Sequence, residues 1–139
     1  MTNATLETLN YSVQHIRGPI RAKSDEWQET ADQWLVTFKH KDGFFTVDYF
    51  TGIGHRKKIK RGYYEETRPI SPSVKDIVYS LYSDAQLAQE NFNDFCDNLG
   101  YSSDSIKVLN IYKACMDSVP KLRKLGLSNQ YLQETYKDY

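Results

Sequence analysis

Cysteine is nearly missing from this chain: Cys96 and Cys115 are the only two in 139 residues, and no C-x-x-C pair exists. That excludes a scaffold stapled by several disulfides and a cysteine-built zinc site. Each cysteine falls in an apolar helical pattern, so both read as ordinary buried thiols of a reducing compartment. Net charge is missing too, since 18 Lys and Arg balance 18 Asp and Glu. Any partner preference must therefore come from where the charges lie. No window approaches the roughly 18 apolar residues of a membrane span. The N-terminal MTNATLETLNYSV has no charged segment followed by an apolar run, so no secretory signal is expected.

The usual marks of catalysis are absent as well. The three histidines, His15, His40 and His55, form no H-x-x-x-H pair and stand at no familiar zinc spacing. Neither G-x-x-x-x-G-K-[ST] nor G-x-S-x-G occurs. Thr51-Gly52-Ile53-Gly54 has only two glycines and opens no helix pattern, which argues against a dinucleotide cradle. Asp94 and Asp97 are i, i+3 neighbours, but an acid–base pair needs a cleft and two opposed environments. The expectation is a protein that is not an enzyme, with no catalytic residues, metal or cofactor.

What the chain does have is a globular share of apolar residues, 40%, and 11 tyrosines. Residues 11–22, YSVQHIRGPIRA, start with strand alternation, change phase near Ile16 and are broken by Gly18-Pro19, which predicts an edge or bulged strand. A polar stretch from Lys23 to Gln33 follows and carries Trp27. In WLVTFKHKDGFFTVDYF, residues 34–50, Trp34, Val36 and Phe38 alternate on one side of a strand. Phe45, Val47 and Tyr49 do the same on the next, and Gly43 allows a tight turn between them.

From Ser73 the period becomes helical, with Val74, Ile77, Val78, Leu81 and Ala85 as a core-facing stripe. A second helix fits 91–99, stopped by Gly100. A third begins at Ser102 or Ser103, with Leu109, Tyr112, Met116 and Val119 expected inward and a kink or restart expected at Pro120. The expected fold is α+β. An N-terminal antiparallel β-sheet of about three strands, with the 34–50 hairpin, packs on a C-terminal bundle of about three helices. The expected organisation is a single domain, 1–139: a sheet region over 1–54, a basic loop over 55–72, a helical region over 73–126 and a tail over 127–139 that makes a short helix.

Charge placement is the most informative feature. GHRKKIKRG, residues 54–62, holds five cations in six positions, and Arg56 to Arg68 contains six cations against Glu65 and Glu66. Asp76, Asp84, Glu90, Asp94, Asp97 and Asp104 then follow with no Lys or Arg among them. The two patches could face each other in the fold or across a homodimer. The basic segment could instead bind phosphates through Arg56, Lys57, Lys58, Lys60 and Arg61, with Tyr63 as a base-stacking platform. In the third arrangement, Asp84, Glu90, Asp94 and Asp97 present a phosphate-like array to a basic partner.

The order WLVTF, FFTVDYFTGIGHRK, SPSVKDIVYSLYSDA, FNDFCDNLGYSSDSIKVLNIYKAC and KLRKL resembles a widespread group of small bacteriophage- and prophage-encoded proteins, most without an assigned function. The likeness covers roughly residues 34–125; in that group G-x-G-H runs quickly into the proline before the first helix, whereas KKIKRGYYEETRPIS intervenes here. The resemblance implies a shared fold and a cytoplasmic protein of the bacterial host. It also implies an accessory or host-interaction role of the kind that includes anti-CRISPR inhibitors. The leading expectation is a non-enzymatic phage protein that binds a host protein or ribonucleoprotein complex, most concretely a CRISPR effector, and occludes its nucleic-acid channel with the acidic face. The alternative is a nucleic-acid-binding accessory protein of phage replication or transcription that uses the basic segment.

Overall fold

The computed structural model describes residues 5–23 and 28–136; Trp27 lies outside them. The chain divides into two compact units, Asn10–Ser73 and Met1–Leu9 with Val74–Tyr139.

The first unit is all β. Strands β1 (Asn10–Lys23), β2 (Gln28–His40) and β3 (Gly43–Gly52) form one antiparallel sheet in that order. The β2–β3 hairpin follows from its period-two pattern. Trp34, Val36 and Phe38 stand opposite Tyr49, Val47 and Phe45, so all six share a face. Trp34, Val36, Phe38 and Phe45 are buried, while Phe44, Thr46, Asp48 and Phe50 on the other face are exposed. Lys41 and Asp42 make the turn, and Gly43 takes φ 142 as β3 begins.

Strand β1 is an edge strand with register shifts between His15 and Arg17 and between Arg17 and Ile20, where the phase change and Gly18-Pro19 occur. The polar stretch expected over 23–33 is corrected in one respect. β2 begins at Gln28 and pairs back along β1 as far as Lys23, because ladder bonds need no apolar side chains.

Residues 55–72 also differ from the loop expected there. After a 3-10 turn at Ile53–His55, β4 (Arg56–Arg61) and β5 (Tyr64–Pro69) form a separate two-stranded antiparallel sheet.

The second unit is helical: α1 (Val74–Leu87), α2 (Phe92–Leu99), α3 (Ile106–Leu125) and α4 (Asn129–Tyr136). The α1 stripe buries Ile77, Val78, Leu81 and Ala85. Asn91 caps α2 by accepting from the Asp94 amide at 2.9 Å, and Gly100 ends it at φ 74. Phe95, Cys96, Val108 and Cys115 form a buried cluster with the Tyr112 ring 5.0 Å from Phe95.

Helix α3 has the expected period with a different phase. It starts at Ile106, not Ser102 or Ser103, and buries Val108, Cys115, Ser118, Leu122 and Leu125, leaving Leu109 and Met116 exposed. Apolar residues surround this helix, so spacing alone admits both stripes. Pro120 sits inside the continuous helix on an exposed position, where solvent can take the carbonyl it leaves unpaired. The tail is a helix, as expected, started by Ser128, whose hydroxyl accepts from the Tyr131 amide at 3.0 Å. Leu6 of the N-terminal 3-10 turn donates its amide to the Tyr131 hydroxyl at 3.3 Å.

The cap on α2 gives a simple check. Asn91→Ala is expected to lower stability by about 1 kcal/mol, since it removes the bonds to the Asp94 amide and carboxylate. Urea denaturation measures it, and Asn91→Ser should restore much of the loss, since its hydroxyl can accept from the Asp94 amide.

Candidate nucleic-acid interface and its anchor

The basic segment is a β-arm. Arg61 pairs with Tyr64, so Gly62 and Tyr63 are a two-residue turn. Gly62 takes φ 62 at the first central position, the conformation that a II′ hairpin turn requires and glycine supplies. Opposite residues share a face, which sorts the charges. One face carries Lys58 and Lys60 with Thr67 and Glu65. The other carries Lys57, Ile59 and Arg61 with Arg68, Glu66 and Tyr64.

Glu66 is 3.3 Å from Arg61 Nε and 4.0 Å from Arg68 Nε, all partly exposed. Exposed pairs of this kind contribute at most about 1 kcal/mol, so both guanidinium groups can be redirected to a phosphate. Among the described residues, Lys57, Lys58 and Lys60 make no ion pair.

Arg56 has a different role. Its side chain is only 8% exposed and its Nη1 lies 2.5 Å from Oδ1 of Asp32, which is fully buried in β2. Nε and Nη2 of the same guanidinium donate to the hydroxyl and carbonyl of Thr67 in β5, each at 3.2 Å. One side chain thus ties β4 to β5 and the arm to the three-stranded sheet. His15 of β1 reaches the same carboxylate oxygen through Nε2 at 2.9 Å and sets its ring edge-on to Trp34, with centroids 4.9 Å apart. The Trp34 indole donates to the Thr51 hydroxyl of β3 at 2.8 Å. A chain of contacts through Thr51, Trp34, His15, Asp32, Arg56 and Thr67 therefore crosses all five strands. A further tie at the base of the arm runs from the Ile70 amide to the His55 carbonyl at 2.9 Å.

Burial pushes the Asp32 carboxyl up, but the hydrogen bonds and charges of Arg56 and His15 outweigh it and hold the group below its ordinary value. Among the described residues its other oxygen, Oδ2, has no hydrogen-bond partner, so Oδ1 carries the interactions with Arg56 and His15. Gly18 explains how the carboxylate fits. A Cβ there would lie 2.2 Å from Asp32 Oδ1 and 2.8 Å from its Cα, and Gly18 takes φ 144.

Of the basic candidates, Lys57, Lys58, Lys60, Arg61 and Tyr63 are exposed on the arm, whereas Arg56 is its anchor. The acidic candidates differ in their surroundings. Asp84 is half-buried in α1; burial raises its carboxyl, and its charge adds to the burial that raises the Cys115 thiol. Glu90 accepts from Asn98 Nδ2 at 3.0 Å, and Asp94 shares the α2 cap with Asn91. Asp94 and Asp97 remain as exposed neighbours on α2. Asp32 is absent from the sequence-based candidates, although the chain carries a signal for it. It falls in step with Trp34, Val36 and Phe38, and a carboxylate on a buried stripe must find a cation.

Among the described residues no group of three or more His, Cys, Asp or Glu side chains could hold a metal ion. No described helix is long and apolar enough to cross a membrane. No family model matches the chain, and no curated protein or solved structure matches it.

Proposed function

We propose that this protein is a non-enzymatic binding module that grips nucleic-acid phosphates with the β4–β5 arm, as an accessory protein of phage replication or transcription. The observation that carries this reading is the arm itself: a hairpin with cations on both faces, anchored by a buried ion pair and otherwise exposed. Residues two apart on one face of a strand recur every ~7 Å. Lys58 and Lys60 at that spacing, and Lys57 and Arg61 at about twice that spacing on the other side, therefore present spaced charges instead of a diffuse cluster. Two-stranded ribbons are an established way to enter nucleic-acid grooves.

The test replaces Lys57, Lys58, Lys60 and Arg61 together by Gln and leaves Arg56 in place. Wild-type binding to a labelled oligonucleotide should weaken steeply with salt, and the variant should lose most of its affinity with an unchanged melting temperature. The slope of log affinity against log salt should become shallower by about 0.7–0.9 for every phosphate that the variant no longer neutralises. Wild type that fails to bind at low salt overturns the reading.

A second reading, a phage inhibitor of a host ribonucleoprotein such as a CRISPR effector, is favoured by Asp94 and Asp97, side by side and exposed in a stretch without cations. Such a face would steer association with a basic channel more than set its affinity. Co-purification with a protein complex after nuclease treatment, reduced in Asp94→Asn/Asp97→Asn, would support it over the first.

A further inference from the structure

The tip of the arm differs from its shaft. Tyr63 stands at the turn with a relative exposure of 108%, and Tyr64 beside it is 67% exposed. Lys60, Gly62, Tyr63, Tyr64 and Glu65 line an open cleft of about 270 Å³ there. Resting on the proposed grip of the arm, we infer that this tip holds an unpaired base, so that the ligand is single-stranded nucleic acid, with the phosphates running along the shaft.

Three observations point the same way. Aromatic rings left in water at a hairpin tip offer faces on which any base can stack, but a base inside a duplex already has both faces covered. The charge pattern separates backbone from base. Lys57 and Lys58 lie towards the root of the arm, whereas near the tip the cleft is lined by Lys60 with Glu65 opposite it, and Arg61 on the other face is paired with Glu66. A carboxylate repels phosphate yet accepts hydrogen bonds from base amino and imino groups, while the ammonium donates to ring nitrogens and carbonyls. The cleft therefore suits a base edge that bears both donors and acceptors. Finally, Gly62 carries no side chain to cover the platform, and its φ of 62 turns the chain so that Tyr63 leads the tip.

The experiment compares three labelled probes of equal length by fluorescence anisotropy at fixed low salt: single-stranded DNA, its duplex, and an abasic strand with the same phosphates. Wild type should bind the single strand about tenfold more tightly than the abasic strand, and more tightly than the duplex. Tyr63→Ala should weaken single-strand binding about tenfold and leave abasic binding unchanged, and Tyr63→Phe should retain the wild-type preference.

Equal binding of single and abasic strands, or a Tyr63→Ala variant without effect, overturns the stacking inference. The grip reading then still stands if the four-cation Gln variant loses binding to every probe. A duplex bound most tightly in a Tyr63-dependent way also overturns the inference, in favour of a wedge between base pairs. Full binding by the Gln variant overturns the grip and the inference together.

Discussion

Asp32→Ala is expected to lower stability by roughly 3 kcal/mol, because it leaves the Arg56 guanidinium largely buried with no counter-charge. That is the low end of the range for an orphaned buried charge, since Arg56 keeps its two bonds to Thr67. For a domain of this size the melting temperature should fall by about 10 °C. Asp32→Asn should cost less, as the amide oxygen can still accept from Arg56 and His15. The double variant Asp32→Asn/Arg56→Gln should recover some of the loss, which a double-mutant cycle would read as coupling.

The same carboxylate sets an acid dependence. Its folded-state value is depressed, so the stability it contributes is complete above the ordinary value of 3.8. It is lost as pH falls from there through the lower folded value. Asp32→Asn should remove this component and flatten acid unfolding in that range. An acid profile identical to wild type would show that the pair contributes nothing to the folded state.

Gly18→Ala should be at least as damaging. The new methyl would sit 2.2 Å from Asp32 Oδ1 and 2.8 Å from Asp32 Cα, with φ 144 adding backbone strain on the order of 1–3 kcal/mol. Moving the carboxylate would relieve the first contact by breaking the ion pair; the second is with backbone and can be relieved only by shifting β1 off β2. A loss of about 4 kcal/mol in urea denaturation is therefore expected. The Gly18→Ala and Asp32→Ala losses should sum to more than the double variant shows, because both act on one carboxylate. Wild-type stability for Gly18→Ala would mean that the two strands do not approach so closely.

The elements of this fold that are legible in the sequence are those where one periodicity dominates. Trp34 to Tyr49 alternate in and out over two strands, and Ile77 to Ala85 repeat at helical spacing. The helical pattern has no competing solution, and in the hairpin Phe44 and Phe50 on the other face are outweighed by the six apolar residues that alternate together. The phase of α3 is not legible, because Leu109 and Met116 fit the same period as Val108 and Cys115. The arm is hidden because RKKIKR offers one apolar residue, Ile59, and YEETRP only Tyr64 and Pro69 at its ends, too few to betray alternation. Its only cue is Gly62, in a two-residue gap between runs of equal length. The anchor at Asp32 is legible by parity with Trp34, but its partners lie 17 and 24 residues away and depend on the bulges of β1. The charge segregation is visible; that one of the five clustered cations is structural, and the other four are not, is a property of the pairing alone.

The helical unit draws on both ends of the chain, whereas the β unit is a single uninterrupted run, Asn10–Ser73. In order of synthesis, every residue of the Asp32–Arg56 anchor has been made before the first residue of α1. The Leu6 amide, by contrast, must wait for Tyr131, which is made well after the β unit, before it can make its bond. Domains generally fold as units from the N-terminus during translation. The β unit can therefore close while the ribosome is still making the helices, and the segment that preceded it is left to be gathered in afterwards. The basic arm would then be complete, and able to meet a polyanion, before the protein that carries it is.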